Sequence, residues 1–237
     1  MSTPAYPGFC SVESYLRLPR NPETWLIRHL VPSSGAALLF APSKQGKSFA
    51  AIDLANCIAG ASDDWLGFDV VTHGPTLYLQ LDTPRSVWAQ RFEDLQHSGF
   101  RCHRDLMLAD RDSIEKFPFD ILNQGHAVYL RSLIAPQRPV AVIVDTVRES
   151  HSGEEDSSTV MRNVISGLVW ASQPAALILV SHDRKPNPDA NKDLMADHRG
   201  SSYVVGRMDV VLRLTNNRLY FKGRSIEEGF VKLERLD

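Results

Sequence analysis

The chain has 237 residues, of which 43% are hydrophobic and 23% are charged, and its formal net charge is -2. These values exclude a chain that is disordered throughout and predict one compact domain. Its three cysteines lie far apart, which argues against a disulfide framework or a structural zinc site and indicates a reducing cytosol. No apolar run approaches the roughly 18 residues of a membrane span, and residues 1–10 lack the pattern of a secretory signal.

Short aliphatic runs alternate with amphipathic stretches along the first 180 residues. The runs are typical of parallel strands buried on both faces, and they are Ala36–Phe40, Thr76–Leu81, Val140–Val144 and Ala175–Val180. The stretches between them predict helices at Ser48–Ala59, Pro84–Gln96, Ile121–Ile134 and Ser157–Ala171. This alternation predicts a three-layer α/β/α domain with a mainly parallel sheet.

The two ends of the chain have a different pattern. Residues 1–34 predict an N-terminal cap with a short helix around Glu23–Leu30, followed by one domain at 35–237. Residues 182–199 are polar and predict a long loop. Three alternating segments separated by turn residues then predict antiparallel strands that close the sheet, at Asp209–Leu214, Arg218–Lys222 and Phe230–Leu236.

A phosphate-binding loop is predicted between the first strand and the first helix. Residues 41–48 (APSKQGKS) match the pattern G-x-x-x-x-G-K-[ST] except at the first position, where Ala41 replaces glycine. Gly46 allows the backbone to approach a phosphate, Lys47 brings a positive charge to the β- and γ-phosphates, and the Ser48 hydroxyl can ligate Mg²⁺. The predicted nucleotide-binding residues are Ser43, Lys44, Gln45, Gly46, Lys47 and Ser48.

Three of the predicted strands are followed by a polar residue that can act on a nucleotide. Asp145 follows five apolar residues, the Walker B arrangement, and would hold Mg²⁺ together with Ser48. Asp82 is placed to activate the attacking water, and His182 to sense the γ-phosphate. Each also has a structural interpretation, because an aspartate at a strand end can form a turn or cap a helix, and a histidine there can be structural.

Five segments in this order resemble the RecA-like ATPase family, most closely its compact plasmid RepA-type hexameric helicases and phage RecA-like NTPases. They are LLFAPSKQGKS (38–48), PTLYLQLDTPRSVWAQRF (75–92), VAVIVDT (140–146), LILVSHDRK (177–185) and HRGSSYVVGRMDVVLRL (198–214). The resemblance implies Mg²⁺-dependent ATP hydrolysis, and the catalytic residues it implies are Lys47, Asp82, Asp145 and His182. Asp82 departs from the family's glutamate by one methylene, about 1.5 Å. Either turnover is slow, or a shifted backbone brings the shorter carboxylate to the water.

The resemblance also implies partners. Similar proteins form rings or filaments, hexamers among them, in which a basic residue reaches the nucleotide of the next subunit; the candidates here are Arg207, Arg224 and Lys222. Residues 148–159 and 182–199 correspond to the family's two DNA-facing loops. The candidates for binding single-stranded DNA are Arg148, Arg184, Lys185, Lys192 and Arg199. The expected location is the cytoplasm of a bacterium or of a phage-infected cell, with no membrane partner.

Charge is unevenly distributed along the chain. Residues 199–224 contain six basic residues and one acidic residue, a local net charge of +5. This segment predicts an interface with nucleic acid or with a neighbouring subunit, although a solvated outer face has the same pattern. Residues 182–199 have zero net charge and residues 148–159 are acidic. DNA binding is therefore inferred mainly from the resemblance.

Two functional hypotheses remain open. The first is an ATP-driven enzyme that acts on single-stranded DNA in replication or recombination. If this enzyme is a helicase, we expect a minimal one. The second is a RecA-like nucleotide switch that binds a protein partner, such as a helicase loader or a regulatory ATPase, without unwinding DNA. A small-molecule kinase is disfavoured because no segment resembles an acceptor-binding lid.

Overall fold

The computed structural model describes residues 11–17, 24–114, 118–183 and 202–233. Its strands are β1 (Trp25–Ile27), β2 (Val31–Pro32), β3 (Ala36–Ala41), β4 (Asp64–Trp65), β5 (Phe68–Asp69), β6 (Thr76–Gln80), β7 (Leu106–Asp110), β8 (Ala141–Asp145), β9 (Ala176–His182), β10 (Val210–Thr215), β11 (Arg218–Gly223) and β12 (Gly229–Lys232). Its α-helices are α1 (Val12–Leu16), α2 (Lys47–Asn56), α3 (Arg85–His97), α4 (Gln124–Ile134), α5 (Ser158–Ser172) and α6 (Ser202–Arg207). A π-helical turn at Cys57–Ala61 follows α2, and short 3-10 turns lie at Ala135–Gln137 and Arg148–Ser150.

One eight-stranded sheet forms the centre of the molecule, in the order β12-β11-β10-β3-β9-β8-β6-β7. The six strands from β10 to β7 are parallel to one another, and β11 and β12 pair antiparallel at one edge. Every residue of β3 and β8 is buried, because helices cover both faces of the sheet. The predicted α/β fold with antiparallel C-terminal strands is confirmed.

The helices form two layers with separate hydrophobic clusters. On one face, α2 and α3 pack through Ile52 and Trp88 against strand residues such as Ile143. On the other face, α4 and α5 pack against the alternate strand residues, with Leu168 and Val142 in the same cluster. None of the helices in the described part of the chain is long and apolar enough to span a membrane.

The predicted helix around Glu23–Leu30 is wrong. Residues 25–27 form β1, which pairs with β2. Its backbone is also hydrogen-bonded to the segment that follows β5, where Val71 N donates to Leu26 O at 2.9 Å. Leu26, Ile27 and Leu30 are all fully buried in the cluster that contains α2. The sequence pattern of this segment favours a helix, but its backbone groups form hydrogen bonds with strand residues that are distant in sequence. The division of the chain at residue 34 stays a prediction.

Strand β7 at the edge of the sheet was not predicted. Its residues are only partly buried, and Leu108 is exposed, so the segment lacks the apolar continuity of the central strands. It is held by parallel pairing with β6 and by Arg85 at the start of α3, whose guanidinium lies 2.6 Å from Asp110. Both supports come from residues that are distant in sequence.

A buried ion pair joins the end of β9 to β10. Arg213 Nη2 lies 2.7 Å from Asp183 Oδ2, and the two side chains are 7% and 5% exposed. The Asp183 N–H donates to the carbonyl of Ala41 at 3.0 Å. The pair therefore fixes the chain where it leaves β9, beside the end of β3.

We predict that Asp183→Ala lowers the free energy of unfolding by about 3 kcal/mol or more, because it leaves the Arg213 guanidinium buried without its carboxylate. Urea denaturation followed by circular dichroism measures this change. The exposed pair Arg28–Asp69 offers a control, since its side chains are 53% and 70% exposed. Asp69→Ala should cost less than about 1 kcal/mol, and equal effects of the two substitutions would contradict the role given to Asp183.

Candidate active site at the carboxyl end of the sheet

The predicted phosphate loop connects β3 to α2. Lys44 and Gly46 have positive φ angles of 65° and 83°, and Gly46 directly precedes the helix. A Cβ atom on Gly46 would meet no atom within 4 Å, so the backbone conformation and not crowding favours glycine here. The first N–H groups of an α-helix lack acceptors within the helix, so those at the start of α2 can bind an anion.

The structure brings Lys47 and Asp145 together. Lys47 Nζ lies 3.5 Å from Asp145 Oδ1, although the residues are 98 positions apart in sequence. Their side chains are 7% and 3% exposed. The lysine of the phosphate loop and the aspartate at the end of β8 thus form one buried charged centre, as the two sequence motifs lead one to expect.

Tyr78 completes this centre and was missed by sequence reasoning. Its hydroxyl donates to Asp145 Oδ2 at 2.7 Å, so both oxygens of the Asp145 carboxylate are engaged. Burial, reinforced by the neighbouring Asp145 charge, raises the pKa of Tyr78 well above its usual value. The phenol therefore keeps its proton. The sequence showed only that Tyr78 belongs to a buried strand, and it contained no motif that identified this partner.

Asp82 and His182 lie on the same edge of the sheet. Leu81 N donates to Asp145 O at 2.7 Å, so the chain stays beside β8 until one residue before Asp82, whose side chain is exposed. His182 is the last residue of β9, is half-buried, and pairs in register with Ala41 at the start of the phosphate loop. Both positions suit the roles that the sequence predicts.

The basic candidates near the C-terminus differ in their surroundings. Arg224 donates to Gly206 O at 3.2 Å, and Lys222 lies 3.1 Å from Glu228. Arg207 ends α6 with an exposed side chain that forms no ion pair within the described residues. Arg213, which contributes to the predicted +5 segment, is buried against Asp183 and cannot belong to an interface. The charge count therefore overstated the basic surface.

Of the predicted DNA-binding residues, Arg148 lies in the described part of the chain. It begins the turn after β8, donates to His151 O at 3.3 Å and lies 3.8 Å from Glu155, so its charge is partly balanced within its own loop. The remaining four candidates lie outside the described residues, and they are Arg184, Lys185, Lys192 and Arg199.

We predict that Tyr78→Phe lowers the free energy of unfolding by about 1–3 kcal/mol, because one buried oxygen of Asp145 loses its donor. Urea denaturation measures the loss. Tyr220→Phe is the control, since the Tyr220 hydroxyl has only a 3.4 Å contact with the exposed Arg218. That variant should change stability by less than about 0.5 kcal/mol. A Tyr78→Phe variant as stable as the control would show that Tyr78 does not hold Asp145.

Comparisons with known proteins bear on the family and the fold. A family model described as an AAA domain matches residues 8–188. Among solved structures, one described as an ATPase domain superposes with a TM-score of 0.57 at 13% sequence identity, over 85% of this chain and 86% of that chain, which shows a shared fold. No curated protein matches the chain in sequence. Because the family match spans well over half of the residues, the chain belongs to the AAA domain family, as a P-loop ATPase with a RecA-like fold.

Proposed function

We propose that this ATPase is Mg²⁺-dependent and acts on single-stranded DNA in replication or recombination, as a helicase or a related motor. The observation that supports an active nucleotide site is the buried contact between Lys47 Nζ and Asp145 Oδ1, 3.5 Å apart at the end of the phosphate loop. DNA as substrate is supported by the resemblance of five sequence segments to RepA-type helicases. A cytoplasmic location in a bacterial or phage-infected cell belongs to the same proposal.

Lys47 and the phosphate loop would bind the triphosphate. The N–H groups at the start of α2 donate to phosphate oxygens, and the positive φ at Gly46 turns the backbone towards them. An ammonium group has three donors, so Lys47 can keep its contact with Asp145 and still donate to β- and γ-phosphate oxygens. Burial strengthens these contacts by excluding water.

Ser48 and Asp145 are suited to hold Mg²⁺. Ser48 lies in the first turn of α2 and Asp145 ends β8, and their hydroxyl and carboxylate oxygens are ligands that Mg²⁺ prefers. Mg²⁺ usually takes most of its remaining ligands from phosphate oxygens and water. When bound, Mg²⁺ would neutralise charge on the phosphate oxygens. Tyr78 would keep the Asp145 carboxylate oriented.

Asp82 and His182 would act at the γ-phosphate. The exposed carboxylate of Asp82 can accept a hydrogen bond from the attacking water and orient it. His182 lies beside the phosphate loop and would detect the γ-phosphate. The adjacent Asp183 is fixed by Arg213, which would hold the backbone beside His182 in place.

Oligomerisation would complete the site with a basic residue from a neighbouring subunit. Arg207, Arg224 and Lys222 are the candidates, and we favour Arg207 because the other two have partners within the chain. In rings and filaments of similar proteins a residue of this kind contacts the γ-phosphate of the next subunit, where its charge stabilises the transition state.

The alternative is a nucleotide switch that binds a protein. The loop after β8 supports it, because Arg148 lies 3.8 Å from Glu155 and this loop has an excess of acidic residues. Such a loop repels a phosphate backbone and suits a basic protein surface.

We predict that single-stranded DNA stimulates ATP hydrolysis and that DNA affinity falls steeply with salt, because phosphate contacts release counterions. Steady-state ATPase assays with and without oligonucleotide, and binding assays at two salt concentrations, measure both effects. Lys47→Ala should abolish turnover. Salt-independent binding together with unstimulated ATPase would exclude the DNA-acting enzyme and favour the switch, whereas full activity of Lys47→Ala would contradict the active site itself.

We predict that Asp82→Asn lowers kcat by about 10²–10⁴-fold, as expected for loss of a group that accepts a proton from water. Asp82→Glu should retain or increase turnover, because the longer carboxylate reaches further towards the water. Asp112→Asn is the matched control on the same edge of the sheet, and its kcat should not change. A large loss in Asp82→Glu would show that Asp82 is positioned differently from the family's glutamate.

A further inference from the structure

A cavity of about 340 Å³ lies between α3 and the carboxyl ends of β6 and β7. Its walls are mostly aromatic and aliphatic and include Tyr78, Trp88, Phe92 and Leu108. Neither Asp145 nor any residue of the phosphate loop lines it. The cavity is therefore a separate compartment that shares only Tyr78 with the nucleotide site described above.

Two residues that line this cavity have buried polar atoms without a hydrogen-bond partner among the described residues. Gln80 is 3% exposed, and neither its Oε1 nor its Nε2 has a hydrogen-bond partner among the described residues. The indole Nε1 of Trp88, a residue that is 6% exposed, also has none there. Buried side-chain polar groups are normally hydrogen-bonded. An acceptor and two kinds of donor on residues that line one cavity therefore indicate a ligand with both donors and acceptors.

The remaining polar groups of the cavity are already engaged. Arg85 donates to both oxygens of Asp110, at 2.6 and 2.9 Å. This pairing lowers the pKa of Asp110 to about 2, so the carboxylate stays charged and bound to Arg85. The Arg85 side chain is 59% exposed, and the guanidinium of Arg91 lies 5.5 Å from the centre of the Trp88 ring. Two cations thus lie close to the cavity.

We propose that this cavity binds a nucleobase, recognised by the side-chain amide of Gln80. A flat heteroaromatic ring matches the aromatic walls, on which bases stack. A carboxamide pairs with the edge of adenine through one donor and one acceptor, which are the groups that Gln80 leaves unused. Arg91, whose guanidinium lies beside the Trp88 ring, suits the phosphate attached to such a base. The base comes either from a free nucleotide or from a DNA strand, since both present the same chemistry.

This base is not that of the ATP held by the phosphate loop. The strand order places β6 three strands from β3, about 14 Å at the usual spacing. Lys47 points from the loop towards Asp145, so the γ-phosphate end of ATP faces β8. The base of that ATP then lies on the side of the loop away from β8. This placement rests on the proposed function. The new ligand would contact Tyr78, which holds Asp145.

Equilibrium dialysis with radiolabelled adenosine tests the proposal, because adenosine lacks the phosphates that the loop binds. We expect equal affinity for the wild-type protein and Lys47→Ala, and at least about tenfold weaker binding by Gln80→Leu. Ala89→Leu places bulk in the cavity from α3 without altering Gln80, and it should weaken binding to a similar extent. Gln96→Leu, at an exposed position of the same helix, should bind like wild type. Circular dichroism checks that each variant is folded.

A second probe separates the two sources of the base. If the base comes from DNA, Gln80→Leu and Ala89→Leu should weaken binding of a single-stranded oligonucleotide of adenines as much as they weaken adenosine binding. The same substitutions should not change binding of an abasic oligonucleotide. Dependence with adenosine alone identifies a free nucleotide as the source. The proposal is overturned if neither probe binds, if Gln80→Leu and Ala89→Leu bind like wild type, or if Lys47→Ala weakens adenosine binding as much as Gln80→Leu does. Adenosine binding without DNA-stimulated ATPase would contradict the proposed function alone.

Discussion

The buried contact between Lys47 and Asp145 is the interaction on which the rest of the site depends. Two opposite charges that are 7% and 3% exposed are stable in the interior only as a pair with further hydrogen bonds. Tyr78 supplies such a bond to the second carboxylate oxygen. The centre requires β3, β8 and β6 to end at one edge of the sheet, which a parallel arrangement provides. The hydrophobic strands therefore serve to align polar groups at their ends.

Strand β9 lies between β3 and β8 and connects the charged centre to the C-terminal part of the domain. Its last residue, His182, neighbours the start of the phosphate loop, and Asp183 is tied to Arg213 on β10. This second buried pair holds the exit of the chain from β9 in one position. Asp183 is therefore a fixed point next to the residue that would contact the γ-phosphate.

The edge formed by β6 and β7 has a different chemistry. Gln80 pairs in register with Asp145 on one side and Asp110 on the other, yet its own amide has no partner among the described residues. Each neighbouring aspartate is neutralised by a cation, Lys47 or Arg85. Across the sheet, the amide of Gln80, which has no hydrogen-bond partner among the described residues, thus lies between two aspartates that are each paired with a cation. This contrast is the physical basis for a ligand site next to the nucleotide site.

The sequence by itself determined the central strands, the helices α2 to α5 and the phosphate loop, because aliphatic runs, periodicity and the loop motif are local features. It also placed Asp145 and His182 correctly at strand ends. Only the tertiary structure decided that Tyr78 donates to Asp145, that residues 25–27 form a strand, and that Arg213 is internal. The physical reason is that partners of buried polar groups come from distant segments. Neither periodicity nor a charge count specifies which side chains meet or which charges are removed from water.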